Sequence, residues 1–260
     1  MGAFFATLLT LTNLFGSVTV ETHGARVTSY VPAGGTETLR VLPSGTGGWM
    51  LCWPWFGGNK PCDEAPRHGL VRYREFEVVG REENARTSRV VLRQVSDVET
   101  RKVFPHDWSC TVAMVLDEKG LTVSVTGENT GATSFAVTEA MHPYFRVSTP
   151  RECRVTGLPE PYSVQGGPSR VFPFSTRAHA YRLEDAGAGR TFSFSSSGDI
   201  ELAVWNPGEK GHLSKSVTSL GPEDWKTFVC VENGTISRSA GYDLVPGGRH
   251  VLSTTLAVLK

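Results

Sequence analysis

The sequence has no excess of charge: its 260 residues carry 26 Lys and Arg against 26 Asp and Glu. A chain balanced in this way has no overall field to gather nucleic acid or an anionic membrane surface, so neither partner is expected, and any preference for an anion must come from a few local side chains. It also lacks any run near the roughly 18 consecutive apolar residues that a membrane-spanning helix needs. Cysteine is sparse and unpaired in pattern. Cys52, Cys62, Cys110, Cys153 and Cys230 are odd in number and form no CxxC motif, which argues against a disulfide framework and against cysteine metal ligation, and suits reduced thiols in the cytoplasm. No low-complexity tract, fixed-period repeat or composition break interrupts the chain, so residues 1–260 are read as one domain. No long stretch keeps an apolar stripe at 3.6-residue spacing, which excludes long amphipathic helices.

What remains is a series of short segments rich in Val, Thr, Phe and Leu with alternating character. Ser17–Glu21, Arg26–Val31, Glu75–Val79, Ser88–Val95, Thr111–Leu116, Thr122–Gly127, Thr191–Ser195, Glu201–Trp205 and Val251–Val258 all read as strands. Between them lie turn signals such as Ala33-Gly34-Gly35, Glu118-Lys119-Gly120, Asn206-Pro207-Gly208 and Pro246-Gly247-Gly248. The apolar stretch Met1 to Phe15 has no basic segment before it and no clear small-residue cleavage site, so it reads as a first strand rather than a signal peptide. The expected fold is an all-β, mostly antiparallel sandwich with one or two short helices, one of them a helical turn within Gly221-Pro222-Glu223-Asp224-Trp225.

Three segments ask for a reason beyond packing. In Gly47-Gly48-Trp49-Met50-Leu51-Cys52-Trp53-Pro54-Trp55-Phe56-Gly57-Gly58, the rings suit either a core strand or the floor of a cleft whose edge is set by Arg67, His68 and Arg72. In Glu139-Ala140-Met141-His142-Pro143-Tyr144-Phe145-Arg146, the proline pushes His142 toward an extended or turn conformation at a strand end. From there the histidine is either a satisfied structural residue or a group projecting into a cleft. In Phe228-Val229-Cys230-Val231-Glu232-Asn233-Gly234, an apolar strand delivers one carboxylate just before a turn pair. An exposed Glu232 is an ordinary solvated residue, whereas a buried one has its pKa raised toward neutrality.

Taken together, these segments resemble the hexose-6-phosphate mutarotases (glucose-6-phosphate 1-epimerases), a branch of the aldose 1-epimerase or galactose mutarotase-like superfamily. The resemblance covers most of the chain. It rests on Thr46-Gly47-Gly48-Trp49-Met50-Leu51-Cys52-Trp53-Pro54-Trp55-Phe56-Gly57, His68-Gly69-Leu70-Val71-Arg72, His142-Pro143-Tyr144-Phe145, Val204-Trp205-Asn206-Pro207 and Val229-Cys230-Val231-Glu232, in that order. It implies a galactose mutarotase-like β-sandwich, a monomer acting on a sugar or sugar phosphate, and catalysis with no cofactor and no metal. By the same resemblance, Glu232 takes the anomeric proton and His142 protonates the ring oxygen. His68, Arg72, Trp53, Trp55, Phe56, Trp205 and Asn206 are the implied substrate-binding residues.

Two positions depart from the family's pattern. Thr46 stands where the family has an arginine suited to phosphate, with Lys60, Arg67 and Arg74 as the nearby cations. Tyr162-Ser163-Val164-Gln165 lacks the family's sugar-holding aspartate, for which Asp185 is a candidate replacement. These departures keep a catalytically inactive sugar-binding or sugar-sensing protein in view as the alternative to an isomerase. A glycoside hydrolase or lyase is the weaker third reading, because the usual hydrolase mechanism uses two carboxylates and one is nominated.

Overall fold

The computed structural model describes residues 7–214 and 219–259. Its strands form two large antiparallel sheets. The first, of eight strands, runs in the order β1 (Leu8–Asn13), β2 (Gly16–Glu21), β3 (Arg26–Pro32), β4 (Trp49–Cys52), β10 (Glu139–Arg146), β17 (Phe228–Thr235), β16 (Glu201–Trp205) and β13 (Arg170–Pro173). The second, of nine, runs β12 (Tyr162–Ser163), β11 (Cys153–Thr156), β14 (Ala178–Asp185), β15 (Arg190–Ser197), β19 (Arg249–Leu259), β8 (Gly120–Asn129), β7 (Trp108–Asp117), β6 (Ser88–Val95) and β5 (Glu77–Glu83). A separate pair joins β9 (Phe135–Val137) to β18 (Tyr242–Leu244).

The strands expected from alternation are present, several extended by a few residues; β6 and β16 match their expected limits, and β5 starts two residues later than expected, at Glu77. The expected first strand is β1; residues 1–6 lie outside the described part of the chain. Among the described residues the only α-helix is α1 (Val98–Val103), closed by a capping box between Asp97 and Thr100. The helical turn expected near residue 221 is a 3-10 turn at Asp224–Thr227.

Alternation puts two different surfaces on the same strands, because successive side chains point to opposite faces of a sheet. On the first sheet, Trp49 and Leu51 of β4, Met141 and Phe145 of β10, Val229 and Val231 of β17, and Leu202 and Val204 of β16 face inward and join the main apolar core. They meet Leu92, Val112, Val123, Phe192 and Leu256 from the second sheet, and the Phe145 and Phe192 rings lie 5.2 Å apart across the interface. The intervening residues of those four strands, Met50, Cys52, Ala140, His142, Tyr144, Cys230, Glu232, Ala203 and Trp205, point the other way. The candidate site stands on that outer face.

Candidate active site

The outer face of the first sheet floors a cleft of about 1030 Å³. His142 and Glu232 are among its lining residues, both buried, at 6% and 1% exposure. The pairing of β10 with β17 runs Glu139 with Thr235 and Ala140 with Gly234, breaks, and resumes at Tyr144 with Cys230. The same register places His142 directly opposite Glu232. The break has a local cause. The Tyr144 N–H turns toward β4, donating to Gly48 O, so the backbone of the preceding residue faces β17, and there Pro143 has no N–H to give. His142 Nε2 and Glu232 Oε2 lie 3.5 Å apart across this gap.

Burial therefore replaces two sequence expectations. His142 sits inside an eight-residue strand rather than at a strand end, and Asn233-Gly234 continues β17 instead of turning. Gly234 serves close approach: a Cβ there would sit 2.0 Å from the Glu139 carbonyl oxygen.

The wall over this floor comes from the chain after β4. Trp53 is not a sugar platform, contrary to expectation. Its ring is fully buried, edge-on to Trp108 at 5.0 Å, and its carbonyl accepts the Leu70 N–H at 2.9 Å, which anchors the segment carrying His68 and Arg72. Gly69 makes that approach possible, with φ +85° and its missing Cβ only 2.2 Å from Trp53 O. Trp55 also turns away from the cleft. Its Nε1–H donates to Pro66 O and its ring packs on Phe104 beside a separate hollow.

Phe56, His68, Arg72 and Trp205 do line the cleft. The ring of His68 lies 5.4 Å from His142 and 5.1 Å from Phe56, and Trp205 stands edge-on to His142 at 6.1 Å. The Gly57 N–H donates to His68 Nδ1 at 3.2 Å, which leaves Nε2 as that ring's proton-bearing nitrogen in the neutral form. Asn206 is the third expected binder that lies elsewhere. Its amide donates to Trp225 O and Phe228 O, and its Oδ1 accepts the Gly208 N–H, so the side chain knits the exit of β16 to the start of β17.

The electrostatics follow from burial and a concentration of cations. Burial pushes the Glu232 carboxyl up to about 8, against the opposing pull of Arg72 and Arg67. Burial holds His142 well below the usual imidazole range, with His68 and Arg72 adding to the effect. His68 is lowered to about 3 by burial and then by Arg72 and Arg67. Both shifts act in the same sense, favouring a protonated Glu232 beside an uncharged His142.

Of the cations considered from sequence, Arg67 lines the cleft, while Lys60 donates to Asp63 O and Arg74 pairs with Asp97. Arg26 and Lys210 also line it and carried no sequence signal. Arg26 is paired with Glu21 at 2.6 Å, whereas Arg67, Arg72 and Lys210 form no ion pair among the described residues. Thr46 sits in the lining where the resemblance led us to expect an arginine. Asp185 does not supply the lost carboxylate. It is buried on β14, bound by Ser148 and paired with Arg190 at 3.5 Å, and among the described residues the cleft's carboxylates are Glu21 and Glu232. Tyr144, stacked on His142 at 5.3 Å with 15° between planes, was missed, although its place two residues along β10 puts it on the same face.

The family model described as aldose 1-epimerase matches residues 7–164, a span that includes His68, Arg72 and His142 and ends before Glu232. A candidate glucose-6-phosphate 1-epimerase of Salmonella typhimurium is 28% identical over 92% of this chain and 85% of its own. A candidate of the same name from Escherichia coli is 27% identical over 84% and 79%. Among solved structures, a candidate mutarotase of Salmonella typhimurium superposes with a TM-score of 0.82 at 24% identity, covering 97% of this chain and 90% of that one. A galactose mutarotase-like protein from Lactobacillus casei gives 0.77 at 16% identity, covering 97% and 100%. The sandwich is thus the galactose mutarotase-like fold. No helix among the described residues is long and apolar enough to cross a membrane.

Proposed function

This chain belongs to the aldose 1-epimerase family of isomerases, and we propose that it interconverts the α and β anomers of a hexose 6-phosphate with Glu232 as base and His142 as acid. The observation that carries the reading is the register of β10 against β17, which sets a carboxyl and an imidazole 3.5 Å apart in a buried cleft. Ring opening needs one group to take the proton of the anomeric hydroxyl and another to protonate the ring oxygen. Moving the single proton of the pair from Glu232 Oε2 to His142 Nε2 gives the ring-opening form with no change in the pair's net charge. Opening returns the proton to Glu232, so the protonation favoured in the free protein matches the open-chain aldehyde. Rotation about the C1–C2 bond and reclosure on the other face then complete the exchange. Phe56 and Trp205 offer apolar faces to the sugar's C–H groups.

The phosphate rests on Arg67, Arg72 and Lys210, cations with no ion-pair partner among the described residues. The relatives' names point the same way. Anomer exchange of glucose 6-phosphate, glucose and galactose, followed by NMR and corrected for the spontaneous rate, tests the reading. Glu232→Gln is expected to lose about 100-fold or more, and Arg72→Ala to lose activity on the phosphorylated sugar selectively. Equal rates in Glu232→Gln and wild type reject the assigned base. Saturable sugar binding without exchange in the wild type favours the sugar-sensing alternative, which Thr46 and the missing aspartate motivate.

A further inference from the structure

The acid–base pair has a third neighbour that ring opening does not use. Cys230 lies two residues before Glu232 on β17, on the same face. Its sulfur, a nitrogen of His142 and a carboxylate oxygen of Glu232 all lie within 4.8 Å of one another, and all three residues are buried. Among the described residues, Glu232 Oε2 has no hydrogen-bond partner. We propose that this trio is a binding site for a thiophilic divalent cation of the zinc type, and that its occupation switches the protein off.

Thiolate, imidazole and carboxylate are the donor set that zinc takes, and three protein ligands leave a fourth position for water. Ligands at zinc's usual bond lengths stand roughly 3.5 Å apart around a tetrahedron. His142 Nε2 and Glu232 Oε2 are already at that separation, 3.5 Å. The Cys230 sulfur lies within 4.8 Å of the other two donors, so it has to draw in by about 1 Å to reach the same spacing. His142 and Glu232 line the cleft, which gives the ion its way in. Two more sulfurs, Met50 and Cys52, lie on the same outer face and are contacted by Arg72, so the floor is soft beyond the trio. Binding displaces the thiol proton, and the carboxyl proton where Glu232 carries one, into solvent; no oxidant or reductant is involved.

The inhibition rests on the proposed roles of His142 and Glu232: a cation held by both occupies the two atoms that exchange protons with the sugar. The site itself is tested without turnover. Cobalt(II), added alone, is expected to bind one equivalent and give a thiolate-to-cobalt charge-transfer absorption. Cys230→Ser and Cys230→Ala are both expected to abolish that absorption and to weaken zinc binding, read by calorimetry, by at least about tenfold. Zinc-edge X-ray absorption on the wild-type protein needs no variant and is expected to show one sulfur at about 2.3 Å with nitrogen and oxygen at about 2.0–2.2 Å. The site is refuted by the absence of a one-to-one complex, by a zinc shell without sulfur, or by an absorption that disappears in Cys62→Ser instead. With the site established, unchanged anomer exchange under saturating zinc refutes the switch alone.

Discussion

At the scale of single residues, the candidate chemistry depends on where one proton sits. Glu232 is raised to about 8 and His142 is held well below its usual value, so the pair passes from two protons to one at low pH and from one to none near 8. The proposed ring-opening step needs the singly protonated pair in either arrangement. Exchange measured as kcat/KM is therefore expected to hold across neutral pH and to fall tenfold per pH unit above about 8, after the spontaneous rate is subtracted. A rate that keeps rising to pH 9.5 would show that no proton on the pair is needed. Very little of this was legible in the sequence. A glutamate in an apolar strand is as easily a solvated strand-end residue, and its 1% exposure comes from the segments folded over β17, which no local pattern announces.

Elements were read more successfully, and the failures have physical causes. Period-two alternation located the strands because one face of each is buried, and that signal survives without knowing the partner strand. What alternation does not reveal is which face holds the site. The aromatic run shows this: Trp53 and Trp55 went to the interior or behind the wall while Phe56 reached the cleft, since a ring suits a core and a sugar platform equally well. Gly234 illustrates a second ambiguity, because Asn-Gly signals a turn in sequence yet here lets two backbones meet at the Glu139 carbonyl. Gly234→Ala is expected to destabilise the protein by about 1–3 kcal/mol in urea unfolding, through displacement of β17 from β10. Unchanged stability would mean that the strands separate there at no cost.

For the whole molecule, the two sheets share one apolar core, with residues of β4, β10, β16 and β17 packed against those of β6, β7, β8, β15 and β19. A single cooperative transition in calorimetry is the expected result, with calorimetric and van't Hoff enthalpies equal; two resolved transitions would show the sheets to melt separately. The overall architecture was legible because the absence of helical periodicity left few alternatives, whereas the crossing of β10 between β4 and β17 was not, being a pairing across more than 80 residues of chain. That crossing ties synthesis quality to function. A slip of β17 by one residue would exchange Glu232 for Val231 on the cleft floor and drive a carboxylate into the oil of the interior. On the proposed role of Glu232, misthreaded molecules are silent as well as unstable, and the specific activity of a refolded preparation becomes a direct count of the chains that found their correct alignment.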